Sequence, residues 1–253
     1  MKKFFMVVMI ALIMGLQIKE ARALGVGDEI VAGQSYTAMP FSKFQIGGLA
    51  EFVLDKKLKP DAGTNKMKFE GDRFLLKPTI SPFENVDLYA KVGFGVDKLE
   101  NSNKDVKVDS EIGPAYGGGL RANLINWEDS GFRLGFDAQY LRFDTGIDNV
   151  NISSTNYSSV SGDFTVDQWQ LALFMVKEFF QATIYAGGEY ADSTVKYDYT
   201  TSENQTGNEK GKNDKNLGAL AGLNIRATDT VTFFAEGHFI DETSLSLGLN
   251  ARF

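Results

Sequence analysis

The chain has 253 residues, with 26 Lys and Arg against 33 Asp and Glu, 43% hydrophobic residues, 20 Phe, 26 Gly, one His and no Cys. Without Cys there is no disulfide scaffold, thiolate metal site or cysteine nucleophile, and the lone His238 excludes multi-histidine metal centres. A formal charge of −7 provides no general basic surface for nucleic acid, so no nucleic-acid partner is expected.

The N-terminus reads as an export signal. Lys2 and Lys3 precede an apolar run over 4–16, and Ala21-Arg22-Ala23 places small residues where a signal peptidase reads them. The run is too short to span a bilayer as a helix, which needs roughly 20 apolar residues. Residues 1–23 are therefore expected to be removed. Residues 24–40 form a periplasmic N-terminal extension or a plug, and 41–253 form the main domain.

From there the sequence alternates. Phe44, Ile46, Gly48, Ala50, Phe52 and Leu54 oppose Gln45, Gly47, Leu49, Glu51 and Val53, and a weaker segment follows around 73–77. Leu88, Ala90, Val92, Phe94 and Val96 oppose Tyr89, Lys91 and Asp97; Tyr116, Gly118, Leu120 and Ala122 oppose Arg121 and Asn123. Phe132, Leu134, Phe136, Ala138 and Tyr140 oppose Arg133, Asp137 and Gln139, and Trp169, Leu171, Leu173 and Met175 oppose Gln168 and Gln170. Ile184, Ala186 and Tyr190 oppose Tyr185 and Glu189, Leu223 and Ile225 oppose Asn224 and Arg226, and Val231, Phe233 and Phe239 oppose Glu236 and His238. The last nine residues put Leu245, Leu247, Leu249, Ala251 and Phe253 on one face.

This pattern resembles bacterial outer-membrane β-barrel proteins, the OmpA-type and porin-like barrel superfamily, whose last strand alternates and ends in an aromatic residue. The resemblance implies that Leu247, Leu249, Ala251 and Phe253 are an assembly signal read by the barrel-insertion machinery. The expected fold is all-β: a transmembrane antiparallel up-and-down β-barrel of about ten strands, with eight or twelve as alternatives. Connections over 82–86, 125–131, 177–181 and 227–230 are short, whereas 56–72, 98–110, 144–163 and 196–214 are long and polar. That alternation places short turns in the periplasm and long loops outside, with 240–243 as a short external exception. Pro78 sits inside a strand and predicts an end near Lys77 or a bulge near Gly71.

Charges in mid-strand decide which face is which. Lys91, Arg121, Arg133, Asp137, Glu189, Arg226, Glu236, His238 and Arg252 are expected to line the lumen, leaving the apolar face to the outer-membrane lipid bilayer. Trp127, Trp169, Tyr140, Phe233 and Phe239 fit the aromatic girdles at the two interfaces. Glu236-Gly237-His238 is the best candidate for chemistry, because a carboxylate beside an imidazole can orient a base. Omptin-like proteases also need an Asp-x-Asp pair that this chain lacks, and lipid A-modifying barrels carry a His-x-Ser pair where this chain has Ile240. The leading expectation is a non-enzymatic barrel with a structural or surface-interaction role and at most a narrow porin-like path for ions or small solutes. A hydrolase using His238 and Glu236 is the alternative. No catalytic residue, metal or cofactor is assigned, and loops 144–163 and 196–214 are the candidates for contact with an extracellular ligand.

Overall fold

The computed structural model of the protein describes residues 43–61, 67–83, 85–101, 104–127, 129–158 and 160–253. The expected signal peptide and the 24–40 segment lie outside the described residues. The chain runs β1 (Lys43–Pro60), β2 (Met67–Phe83), β3 (Val86–Asn101), β4 (Val106–Ser110) and β5 (Gly113–Trp127). It continues through β6 (Phe132–Ile152), β7 (Thr155–Tyr157), β8 (Val160–Phe179), β9 (Ala182–Thr201) and β10 (Thr206–Asn213). It finishes with β11 (Leu217–Arg226), β12 (Val231–Phe239) and β13 (Glu242–Arg252).

All pairings are antiparallel, and β13 closes on β1 in register from Gln45–Arg252 to Lys56–Glu242. The ring has ten strands, β1-β2-β3-β5-β6-β8-β9-β11-β12-β13. Closure leaves no free sheet edge. At the closing seam the Phe253 N–H donates to the Phe44 carbonyl at 3.1 Å, and the two rings lie 6.2 Å apart.

The long connections are not loops. The described residues of 56–72, 98–110, 144–163 and 196–214 continue the strands past the ring and pair with one another as hairpins. The reason is a change of polarity on strands that keep an inward face. On β6 the outward residues pass from Phe136 and Tyr140 to Arg142 and Asp144, while the inward ones pass from Asp137 and Gln139 to Leu141 and Phe143. A polar stretch with an inward apolar residue at every second place is still a strand, because it still has a core to cover.

This extension has a different strand count from the ring. β10 leaves the path of β11 after Asn213, passes above the short β12–β13 hairpin and pairs with β1 at Leu58–Asn213, Lys59–Lys212 and Pro60–Gly211. Above the ring, the described residues therefore close through eight strands, β1-β2-β3-β4-β6-β8-β9-β10, with β7 continuing β8 at the tip.

Pro78 neither ends β2 nor bulges it. β2 keeps register with β1 through Ile46–Pro78, while its register with β3 passes directly from Leu76–Val92 to Thr79–Tyr89. The missing donor falls in that gap. The bulge lies on β1 instead, between Val53 and Lys56, opposite Gly71 and Phe69.

One backbone position is strained. Ile240, in the tight turn after β12, has φ of 87°, a region that a β-branched residue rarely enters. Replacing it with glycine, Ile240→Gly, is expected to stabilise the barrel by about 1 kcal/mol. Urea unfolding in micelles checks this; a lower midpoint in the variant would contradict the assignment of strain.

Candidate functional site

The outer wall of the ring is apolar. Ile46, Leu76, Val92, Leu173, Ile184 and Ile225 are each between 38% and 49% exposed, in a band that no other part of the described chain covers. Aromatic side chains border that band. At the outer border Phe74 lies 6.3 Å from Phe52 and 6.0 Å from Phe94, and Trp169 lies 5.5 Å from Tyr190. Tyr140 and Phe239 stand on the same border, and the Tyr140 hydroxyl donates to Asp167 at 2.6 Å. Trp127, Phe132, Phe233 and Phe253 stand at the short-turn border, each 40% to 43% exposed.

The interior is the reverse, a ladder of buried charges. Arg73, 1% exposed, donates to Glu51 and to Asp97, both at 3.1 Å. Lys56 meets Glu242 at 2.6 Å, and the Ser244 hydroxyl holds the other Glu242 oxygen at 2.8 Å. Lower in the ring Arg121 and Tyr89 both donate to Asp137, at 2.9 and 2.8 Å, and Lys91 donates to Gln139 at 2.6 Å. Arg133 pairs with Glu178 towards the short-turn end, where Arg226 and Arg252 also sit, partly exposed. An apolar exterior around a paired, charged interior inverts the order of a water-soluble protein and satisfies a barrel set in lipid. The fold is that of an outer-membrane β-barrel.

Solved barrels of this kind are similar to it at low identity. The translocator domain of the autotransporter NalP from Neisseria meningitidis is 14% identical, with 83% of this chain and 88% of that chain covered and a TM-score of 0.47. The outer membrane protease OmpT from Escherichia coli is 9% identical, covering 87% and 99% with a TM-score of 0.44. The outer membrane protein OprG from Pseudomonas aeruginosa is 14% identical, covering 85% and 97% with a TM-score of 0.42. No family model and no curated protein matches the sequence.

Within the barrel, Glu236 and His238 do come together, and Glu189 joins them from β9. The His238 Nδ1 lies 2.8 Å from Glu189 Oε2, and Nε2 lies 3.1 Å from Glu236 Oε1. Tyr185 donates to the far Glu236 oxygen at 2.8 Å, and Gln170 donates to Glu189. Both ring nitrogens are engaged by carboxylates. The inner-wall glycines supply the space these side chains need: a Cβ on Gly119 would sit 2.5 Å from the Tyr89 hydroxyl, and one on Gly222 2.1 Å from the Tyr185 ring.

Above the charged ladder the lumen fills with hydrocarbon. Leu58, Met67, Phe69, Val108, Phe143, Val150, Phe164 and Val195 are each at most 1% exposed and belong to one cluster inside the eight-stranded extension. Tyr197 and Tyr199 stack at the margin of that cluster, 6.1 Å apart. Burial beside Glu209, which accepts from Tyr197 at 3.2 Å and from Asn101 at 2.8 Å, holds the Tyr197 phenol well above its ordinary range. Below the plug, the polar interior keeps cavities of about 50 and 30 Å³, each room for a few waters.

The sequence singled out Lys91, Arg121, Arg133, Asp137, Glu189, Glu236 and His238 and put Glu51 on the inward face, but missed Arg73, Lys56 and Glu242. Lys56 lay inside the 56–72 segment read as a loop, and Arg73 directly after it. The signal that could have found Arg73 was its parity with Phe69, Gly71 and Leu75, which continues the inward face of β2 without a break.

Proposed function

We propose that the protein is a closed-lumen barrel of a bacterial outer membrane, with a structural and surface-interaction role. It carries a stiff β extension outside the membrane and conducts no solute. The observation that carries this reading is the apolar plug: a hydrated ion crossing the barrel would have to pass the buried hydrocarbon around Phe69, Phe143 and Phe164, with Asn101, Glu209 and Tyr197 the polar groups at its margin. Export is assigned to segment 1–23, and assembly to the terminal strand ending in Phe253.

A non-enzymatic role is supported by the setting of His238. It is 7% exposed, beneath the plug, with both ring nitrogens engaged by the carboxylates of Glu189 and Glu236. Ligand storage in the lumen finds little support in cavities of this size.

The purified full chain, reconstituted in planar bilayers, is expected to leave the membrane electrically silent. Large, stable conductance steps from a preparation that is folded by gel mobility would overturn the closed-lumen reading.

A further inference from the structure

The turn between β12 and β13 carries a carboxylate to a place where no donor meets it. Ile240, at φ of 87°, is 65% exposed, whereas Asp241 beside it is 5% exposed. The strained turn thus leaves an apolar side chain outside and brings a charged one in. Neither Asp241 oxygen has a hydrogen-bond partner; the Glu242 backbone N–H lies near but not in line to bond them. A carboxylate buried without a partner is costly, and it answers by gaining a cation or a proton.

The passage of β10 roofs this place. β1 pairs Leu58 with Asn213 and, two residues nearer the ring, Lys56 with Glu242, so β10 crosses directly over the turn. Between those two rungs the Asp214 N–H donates to the Lys57 carbonyl at 3.0 Å. Beneath the crossing Asp241 leans over Gly218, the partner of Glu189 in the β9–β11 ladder. Asp241 Oδ1 and Glu189 Oε1 both lie within 2.9 Å of the point that a Cβ on Gly218 would occupy, and so no more than twice that distance from each other. The charges facing Asp241 are Glu189 from β9, Glu242 from β13 and Lys56 from β1, while β11 presents Gly218, which has no side chain. His238 from β12 meets Glu189 and Glu236, and Asp214 overhead is paired with Lys59. The donors nearby serve the other carboxylates: His238 and Gln170 bond Glu189, and Lys56 and Ser244 bond Glu242. At the roof the Asn213 side-chain oxygen is a further buried acceptor without a partner, its amide being turned to the Ala191 carbonyl at 3.0 Å. Among the described residues no three carboxylates or imidazoles converge as a metal ion requires. What the acceptors lack is one hydrogen.

We propose that Asp241 takes up a proton and shares it with the ionised Glu189, making the turn a latch for the β10 crossing that is fastened in acid and loosened at neutral and higher pH. Asp241 and not Glu189 holds the proton, because Glu189 already accepts from two donors that favour its charged form. Burial, with Glu242 and Glu189 alongside, pushes the Asp241 carboxyl up to about 6. When Asp241 is ionised the two carboxylates repel each other under the crossing. When β10 lifts, water reaches Asp241 and the carboxyl returns to its ordinary value. The closed form therefore binds the proton more tightly than the open one. Closure is strongest below the ordinary carboxylic range and weakens as pH rises through about 6. None of this depends on whether the lumen conducts.

The test uses the full chain folded in micelles and follows hydrogen exchange of the backbone amides of residues 211–214, corrected for intrinsic rates, at pH 5 and pH 8. Wild type is compared with Asp241→Asn, which keeps the shape of the protonated carboxyl and has no charge to gain. Wild-type protection is expected to fall about tenfold from pH 5 to pH 8, while amides of β8 within the ring keep theirs. Asp241→Asn is expected to retain at pH 8 the protection that wild type shows in acid. No fall in wild type, or a fall of the same size in the variant, overturns the proposal. So does protection at pH 8 that calcium restores to wild type and a chelator removes, which would assign the carboxylates to a metal ion. If Asp241→Asn does not fold, the wild-type comparison of pH, calcium and chelator decides the question alone.

Discussion

Arg73→Met is expected to be the most damaging single change in the ring, lowering stability by about 3–5 kcal/mol. Arg73 is 1% exposed and is the cation between Glu51 and Asp97, the latter 0% exposed. Its removal leaves two carboxylates facing each other in a space with little water. Breaking one partner of a buried pair costs more than replacing the whole set, because the charge left behind has neither solvent nor counter-ion. The triple change Arg73→Met/Asp97→Asn/Glu51→Gln should therefore recover part of the loss. Urea titration in micelles, followed through Trp127 and Trp169, measures both. A loss below about 1 kcal/mol in the single variant would mean that lumen water solvates these carboxylates well enough, and the ladder would then be no structural element.

The second expected result concerns the plug. Phe143→Ala and Phe164→Ala each remove a ring from a site that is at most 1% exposed, a change that costs roughly 3–5 kcal/mol in a packed core. The two side chains sit on adjacent strands, in the register Phe143–Val166 and Thr145–Phe164, so the cavities merge and their costs need not add. The loss should fall first on the extension, where both side chains sit, and reach the ring through Leu49, Leu75 and Phe234, which continue the same cluster downwards. The double variant should be cut by protease near the 153–154 tip while a membrane-protected fragment survives, and planar bilayers should begin to show current. An extension that stays protected in a silent bilayer would show that Phe143 and Phe164 are not what closes the lumen.

Much of this architecture was legible because a lipid-facing barrel writes its two faces on alternate residues. The runs Phe132 to Tyr140 and Leu245 to Phe253 each disclose a strand, its parity and its depth. The charges opposite them place Asp137, Glu189 and His238 in the interior. The extension was illegible for the same reason. Its outward residues are Lys, Asp, Thr and Asn, so that half of 196–214 and 144–163 reads as loop, and the inward Val195, Tyr197, Ile147 and Val150 are too sparse to stand out. The bulge on β1 added to this by shifting parity between Val53 and Lys56, which hid Lys56 as an inward residue. Partners across seams such as Lys59–Lys212 depend on closure between segments far apart in sequence, and no local pattern predicts them.

The passage of β10 to β1 also bears on how the cylinder opens and shuts. First and last strands meet at the β1–β13 seam, the natural place for such a wall to unzip, yet β10 lies across its outer end like a clasp. To part the seam from outside, the rungs Leu58–Asn213, Lys59–Lys212 and Pro60–Gly211 must go first. At the opposite rim, among the described residues, Phe253 fastens to Phe44 and no further strand crosses the seam. The cylinder is thus a one-ended zipper, and during insertion the clasp can fasten only after the chain has carried residues 206–213 across to meet its own beginning.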